Sequence, residues 1–179
     1  VMTGIPSIVA GLFAYALFAM ILGPGTKLGI AGAIALSVLM IPVVVRSSEE
    51  MLRLVPNELR EASYALGVPK WLTIVKVVLP TSIAGITTGI MLSISRVIGE
   101  TAPLLLTAGF TQSLNVDAFD NPMMTLPVFV YDQFQNPGTN IPAALERAWA
   151  GALTLIIIVM ALNLIARFVA KKFAPKFGR

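Results

Sequence analysis

LGIAGAIALSVLMIPVVV, residues 28–45, carries no charged side chain and only one hydroxyl. A helix needs roughly 20 mostly apolar residues to cross the hydrocarbon core of a bilayer, and this run comes close on its own. Working outward, residues 1–26 are also uncharged, with Lys27 alone between the two runs. Towards the C-terminus, 81–95 and 148–166 are uncharged as well. The run from Thr81 stops at Arg96, but a helix continuing to about Ala102 is long enough to span. Four such runs are hard to place as buried core helices of a soluble domain, and they follow directly as membrane spans. Composition agrees, with 56% hydrophobic and 12% charged residues, where a soluble domain carries about a quarter charged. The expected fold class is an all-α integral membrane protein with four transmembrane helices, at about 5–22, 28–46, 81–102 and 148–170.

The charges set a topology. Arg46, Arg53, Arg60, Lys70 and Lys76 lie between the second and third spans, and Arg167, Lys171, Lys172, Lys176 and Arg179 follow the fourth. Between Val97 and Glu146 there is no basic residue, whereas Glu100, Asp117, Asp120, Asp132 and Glu146 are acidic. The positive-inside rule places a 47–80 loop and the tail in the cytoplasm and 105–147 outside, with Lys27 a weak exception. The formal charge of +4 therefore points to membrane lipid rather than nucleic acid. Cysteine and histidine are both absent, which removes thiolate chemistry, Ser-His nucleophiles and the common zinc sites. No catalytic residue, metal ligand or cofactor is assigned. Val1 opens directly on an apolar run, with no basic leader or small-residue cleavage site. The chain reads as a fragment lacking preceding spans.

The 47–80 loop holds the helix punctuation. Ser47 with Glu50 makes a capping box that predicts a short helix over about 48–55. Pro56 suits the first turn of a second helix through NELREASYAL. Gly67 stands where a left-handed cap is wanted, and Pro69 begins a third helix expected to end near Leu79-Pro80. The small residues Ala62, Ser63 and Ala65 allow a partner to approach closely. On these grounds the loop is a protruding helical hairpin, or else an amphipathic connector lying on the lipid surface.

The third span carries a polar stripe. At about 100° per residue, Gly85, Gly89, Ser93, Arg96 and Glu100 fall on one face. Gly85 and Gly89 form a GxxxG packing patch, followed by a hydroxyl, a cation and an acid. Ionisable groups inside a membrane usually face a bundle interior or an aqueous path. Ser93, Arg96 and Glu100 are thus candidates for a substrate pathway; the competing reading is an Arg96–Glu100 pair that is merely structural. Pro103 is expected to end or bend this helix.

Glu61-Ala62-Ser63, three residues, Gly67, nine residues, then Val77-x-Leu79-Pro80 resembles the EAA loop of ABC-transporter permeases. The pattern departs from the family only in Ser63 for alanine and Val77 for isoleucine. In that family the loop sits in a cleft of the ATP-binding subunit. The resemblance therefore implies a coupling role for Glu61, Ala62, Ser63, Gly67, Leu79 and Pro80. SRVIGETAPLLLTAG (95–109), GIPSIVAGLFAY (4–15) and NPMMTLPVFVYD (121–132) are similar to phosphate-transport permeases of the PstA type. The resemblance implies the C-terminal part of a six-helix importer subunit that moves phosphate inward. It also implies its partners: a second homologous permease, ATP-binding cassette subunits and an external phosphate-binding protein.

Arginine offers a planar fork of donors matched to a tetrahedral oxyanion. A nearby carboxylate can accept the proton that hydrogen phosphate carries and sulfate lacks. Permeases for sulfate or molybdate share the architecture, so another oxyanion is the first alternative. A non-transporting membrane scaffold that tethers a cytoplasmic protein is the second. GPGTKLG (23–29) does not match G-x-x-x-x-G-K-[ST] and reads as a turn. The segment 110–146 is open between an interfacial helix, a lid and a docking surface for the binding protein. Asn163, on an apolar helix, is expected to bind neighbouring helices by hydrogen bonding.

Overall fold

The computed structural model describes residues 6–173, with the side chains of 170, 172 and 173 outside the described set. The elements are α1 (Ser7–Leu22), α2 (Gly29–Arg53), α3 (Asn57–Ala65), α4 (Lys70–Thr73), α5 (Leu79–Ile98), α6 (Ala102–Thr107), α7 (Leu126–Gln135) and α8 (Ile141–Phe173). A π-helical turn, Ile74–Val78, joins α4 to α5. Among the described residues, three helical stretches are long and apolar enough to cross a membrane: Gly29–Arg53, Lys70–Ile98 and Ile141–Val169. The described part of α1 has 16 residues and falls short of that length. The chain forms two compact units, Val1–Pro42 with Arg96–Met160, and Val43–Ser95 with Ala161–Arg179.

The first unit is held by small residues. Ala10, Gly11 and Ala14 are the buried side of α1, and α1 packs on α6. A Cβ on Gly11 would stand 2.6 Å from Pro103 Cα, so only glycine permits this approach. Ala31, Gly32 and Ala35 form the matching face of α2. Leu104, Ala108 and Val128 make the core, covered by Leu36, Leu105 and Phe110. Orphan donors where α2 begins find partners outside the helix. Leu28 N–H donates to Thr107 O at 2.9 Å, and Ile30 N–H to Ala118 O at 2.8 Å. In a bilayer, where no water replaces a lost partner, such bonds decide whether a helix end is tolerated. The loop before α7 is bonded to itself: Asn115 Nδ2 donates to the carbonyls of Asp120, Asn121 and Pro122.

Large apolar side chains remain on the outside, as a bilayer or a partner subunit requires. Met20, Ile21, Leu153, Ile157, Leu164 and Phe168 are all exposed. Only 6% of the most apolar window of Ile141–Val169 is buried.

Several expectations change. Ser47 opens no helix, because α2 runs unbroken to Arg53. Arg46 pairs with Glu50 at 2.8 Å and Arg53 with Glu49 at 2.6 Å, both one turn apart, and such pairs favour continuation over a cap. No helix ends at Leu79-Pro80 either; the helical run from Lys70 passes through to Ile98. Pro80 has no N–H to give, and its ring would clash with the carbonyl of Lys76 in a regular helix. The π turn just before it widens the backbone, with Leu79 N–H reaching back to Ile74 O. At its other end α5 stops at Ile98, short of Ala102. Gly99 N–H and Glu100 N–H close onto Arg96 O and Val97 O, tight bonds that finish the helix. Pro103 then lies in the first turn of α6 rather than at the end of α5. The last helix begins at Ile141, within the stretch expected to be external.

Candidate functional site

The loop helices form a locked hairpin. Pro56, at ψ 139°, sets the entry to α3. Gly67 takes φ +74°, the left-handed region that a side chain resists. Its N–H donates to Tyr64 O at 2.9 Å and that of Val68 to Ser63 O at 3.2 Å, a Schellman closure of α3. Across the turn, the hydroxyls of Ser63 and Thr73 bond at 2.9 Å, and both residues are buried. Arg60 Nη2 donates to Leu52 O at 2.9 Å, tying α3 to the last turn of α2. The remaining motif residues Glu61, Ala62, Leu79 and Pro80 are exposed. Around them Tyr64, Leu66, Trp71 and Val75 leave apolar surface uncovered, Leu66 at 82%. An exposed apolar rim on a hairpin closed by its own bonds is a surface on which another protein or a lipid layer can pack.

On α5, Gly85 meets Met51 and Gly89 meets Ser47, so close that a Cβ on Gly89 would overlap the Ser47 hydroxyl. Ser93 is buried and its Oγ donates to Gly89 O at 2.8 Å. Its proton is therefore already committed. Thr81, Ser82, Thr88 and Ser95 likewise bond the carbonyl four residues back. Arg96, in the last turn of α5, is exposed, and Glu100 is half-buried beyond the helix end. Because α5 stops at Ile98, Glu100 does not continue its helical face. Among the described residues the ion pairs all lie within residues 46–53, so Arg96 and Glu100 are not paired with each other.

A further polar site was not foreseen. Arg147 of α8 donates from Nε to Gln133 Oε1 of α7 at 2.8 Å. The two line an open cavity of about 400 Å³ with Phe110, Gln112, Met124 and Phe129. One signal for it was present: Arg147 is the single basic residue between Arg96 and Arg167. Arg60, which the sequence shows only as one of the loop cations, has its Nε buried without a partner among the described residues. Asn163 leaves Oδ1 in the same condition.

Comparison with known proteins places this architecture. The chain is 53% identical over 175 residues to the phosphate transport system permease protein PstA 1 of Mycobacterium tuberculosis (strain CDC 1551 / Oshkosh), with 96% of this chain and 56% of that protein covered. To the phosphate transport system permease protein PstA of Yersinia pestis it is 43% identical over 167 residues, 93% of this chain and 55% of that protein. It thus spans little more than half the length of these relatives. Among solved structures, a chain of the MetNI methionine ABC transporter matches with a TM-score of 0.73 at 21% identity, covering 97% of this chain and 71% of that one. That likeness supports the fold. The family model described as "Binding-protein-dependent transport system inner membrane component" matches residues 1–179. This multi-pass membrane chain belongs to the family of binding-protein-dependent transport system inner membrane components.

Proposed function

We propose that this chain is a permease subunit of an ABC importer that carries inorganic phosphate into the cell. The observation that carries the reading is the hairpin of α3 and α4. Its turn is locked by Gly67 and by the Ser63–Thr73 bond, while its apolar rim is left uncovered. Glu61, Ala62, Ser63, Gly67, Leu79 and Pro80 dock the ATP-binding subunit there, on the cytoplasmic side. That partner hydrolyses ATP, and this chain contributes no catalytic residue. A second homologous permease completes the pathway, and an external phosphate-binding protein delivers the substrate. Four spans remain the topological proposal, with the third ending at Ile98 rather than at 102 and the helix of the fourth starting at Ile141 rather than at 148, and the segment between those two helices outside.

Phosphate is favoured over sulfate by the similarity to phosphate permeases and by the acceptor Glu100 beyond the end of α5, while Arg96 serves any tetrahedral oxyanion. Arg96 is exposed and free of any carboxylate within 4.0 Å among the described residues. An unpaired guanidinium supplies the fork that a tetrahedral anion needs. Glu100 is the acceptor for the proton of hydrogen phosphate. Ser93 belongs to the proposed pathway by its place one turn before Arg96; buried and with its proton held by Gly89 O, it donates nothing to the anion.

The test is uptake of labelled phosphate by the assembled transporter in liposomes, with sulfate and molybdate as competitors. Uptake that needs ATP inside and the binding protein outside, and that neither competitor blocks, supports the reading. Efficient competition by sulfate sinks the phosphate assignment, and assembly without any uptake favours the scaffold.

A further inference from the structure

Outside the cytoplasmic basic clusters and Arg96, this chain has two cations among its described residues, Lys27 and Arg147. They come to the same short loop. The Lys27 stem lies along Gly109, where a Cβ would stand 2.7 Å from Lys27 Cδ. Arg147 shares its cavity with Phe110 and Gln112, the first and third residues after Gly109. The guanidinium is held at one atom, through the 2.8 Å bond from Nε to Gln133. Gln133 is itself 8% exposed, which fixes that anchor. The two Nη atoms make no hydrogen bond among the described residues, and Arg147 is exposed at the open mouth of the cavity. No carboxylate lies within 4.0 Å of them there either. Asp132 and Glu146 precede the two residues in sequence, yet neither lines the cavity, and Asp132 accepts from Asn136 at 3.0 Å.

We propose that the Arg147 cavity is an outward-facing site for a phosphate-group oxyanion, bound end-on by the Nη pair while Gln133 orients the fork. This rests on the transport reading for its sidedness. A guanidinium anchored at Nε presents its Nη edge in one direction, which is the bidentate geometry for two oxygens of a tetrahedral anion. Gln112 supplies an amide donor on the cavity wall. Lys27 adds charge that draws anions toward the loop without needing contact. An open cavity of about 400 Å³ leaves the anion partly hydrated, so capture is weak and release is easy.

The chain has no cysteine, so a single thiol can report on the site. Met124→Cys, at an exposed wall position with no polar role in the site, is introduced into the assembled transporter, with thiols of partner subunits blocked. Two impermeant methanethiosulfonate reagents of similar size are applied from outside, one sulfonate and one trimethylammonium. The anionic reagent should react roughly tenfold faster than the cationic one. Millimolar inorganic phosphate at constant ionic strength should slow it, and chloride should not. Arg147→Gln keeps an amide for Gln133 and removes the charge; it should reverse the preference by slowing the sulfonate and speeding the trimethylammonium. A collapsed cavity would slow both, so the opposite directions separate a binding role from a structural one. Arg147→Lys should keep the charge preference and lose protection by phosphate, and Lys27→Gln should lower the preference only several-fold.

Phosphate groups reach such a place from free phosphate or from a lipid headgroup, and the preparation distinguishes them. Protection in liposomes assigns free phosphate. Protection in lipid-free detergent that disappears in phospholipid assigns the headgroup. Protection in neither, or slowing by the binding protein alone, overturns the site, as does labelling only from inside. Uptake without protection counts against this site alone, and protection without uptake counts against the transport reading alone.

Discussion

The α3–α4 hairpin and the α5–α6 junction treat their polar groups in opposite ways. In the hairpin the polar atoms of the turn are paired internally, Gly67 N–H to Tyr64 O and Ser63 Oγ to Thr73 Oγ1, and the exposed surface sets apolar Tyr64, Leu66 and Trp71 beside the charges of Glu58, Glu61 and Lys70. At the junction the backbone closes on itself within one turn, and the charges of Arg96 and Glu100 are left without partners in each other. Under the proposed docking role the hairpin must hold its shape before a partner arrives, and the bonds of its turn are made in advance, although Arg60 Nε stays buried without a partner among the described residues. Under the proposed transport role the junction must exchange its contacts with a passing ion, and unpaired groups at a helix end do so at low cost. If that contrast is right, substitutions at the junction should change uptake with little effect on assembly, and those in the hairpin should do the reverse.

The largest effect is expected at Arg96. Arg96→Leu should bring phosphate uptake to background, while the complex is recovered with its ATPase in normal yield. The absence of a pair within 4.0 Å removes the reason for Arg96→Leu to strand a buried carboxylate. Arg96→Leu combined with Glu100→Leu should therefore be as stable as either single variant and equally inactive. A strongly destabilised single variant rescued by the double would show a structural pair instead. Arg96→Lys retains charge without the fork, and loss of a charge-assisted hydrogen bond, about 1.5–3 kcal/mol, lowers uptake by roughly tenfold or more.

Next in size is packing between α2 and α5. Gly89→Val would place a branched side chain on the Ser47 hydroxyl. Overpacking of this kind costs about 1–3 kcal/mol. A lower thermal midpoint of the detergent-solubilised complex reads it, and partial recovery with Ser47→Gly would confirm the contact by a double-mutant cycle. An unchanged midpoint in Gly89→Val would mean that the two faces do not meet.

The sequence made these two regions legible to different degrees, for physical reasons. Apolar run length announced α2, α5 and α8, and the left-handed position of Gly67 could be read from its place between two helix signals. The ends of helices were read less well. Ser47 and Glu50 satisfy a capping pattern, yet Arg46 and Arg53 find Glu50 and Glu49 one turn away and carry the helix through. Pro80 looked like a terminus because a proline ends a regular helix, and the π turn that accommodates it leaves no composition signature. Glu100 fell off the α5 face because two short backbone bonds to Arg96 and Val97 end the helix first. The Arg147–Gln133 contact joins residues on separate helices, α8 and α7, and no local periodicity reports it.

A smaller effect is expected at Gly67. Valine there would hold φ near +74° against its branched side chain, costing roughly 1–2 kcal/mol locally. The permease should still insert and bind phosphate, with substrate-stimulated ATP hydrolysis reduced. Full stimulation in Gly67→Val would show that the turn is not needed to seat the partner.

The smallest effect sharpens the contrast most. Ser63→Ala removes one buried hydroxyl from the hairpin. Thr73 Oγ1 keeps a second acceptor, Pro69 O at 3.4 Å, so no donor is stranded by the change. A typical buried hydrogen bond contributes about 0.5–1.5 kcal/mol net, and the retained contact puts this one near the lower bound. Thermal stability of the complex should fall by a degree or less, and coupled ATPase activity should be unchanged. Thr73→Val is the informative partner, because it leaves the Ser63 hydroxyl buried with no acceptor in place of Thr73. It should cost about 1–3 kcal/mol, more than Ser63→Ala, and the double variant should recover most of the difference. Equal effects from both single variants would mean that the hydroxyl pair does not hold the hairpin, and that Gly67 alone does.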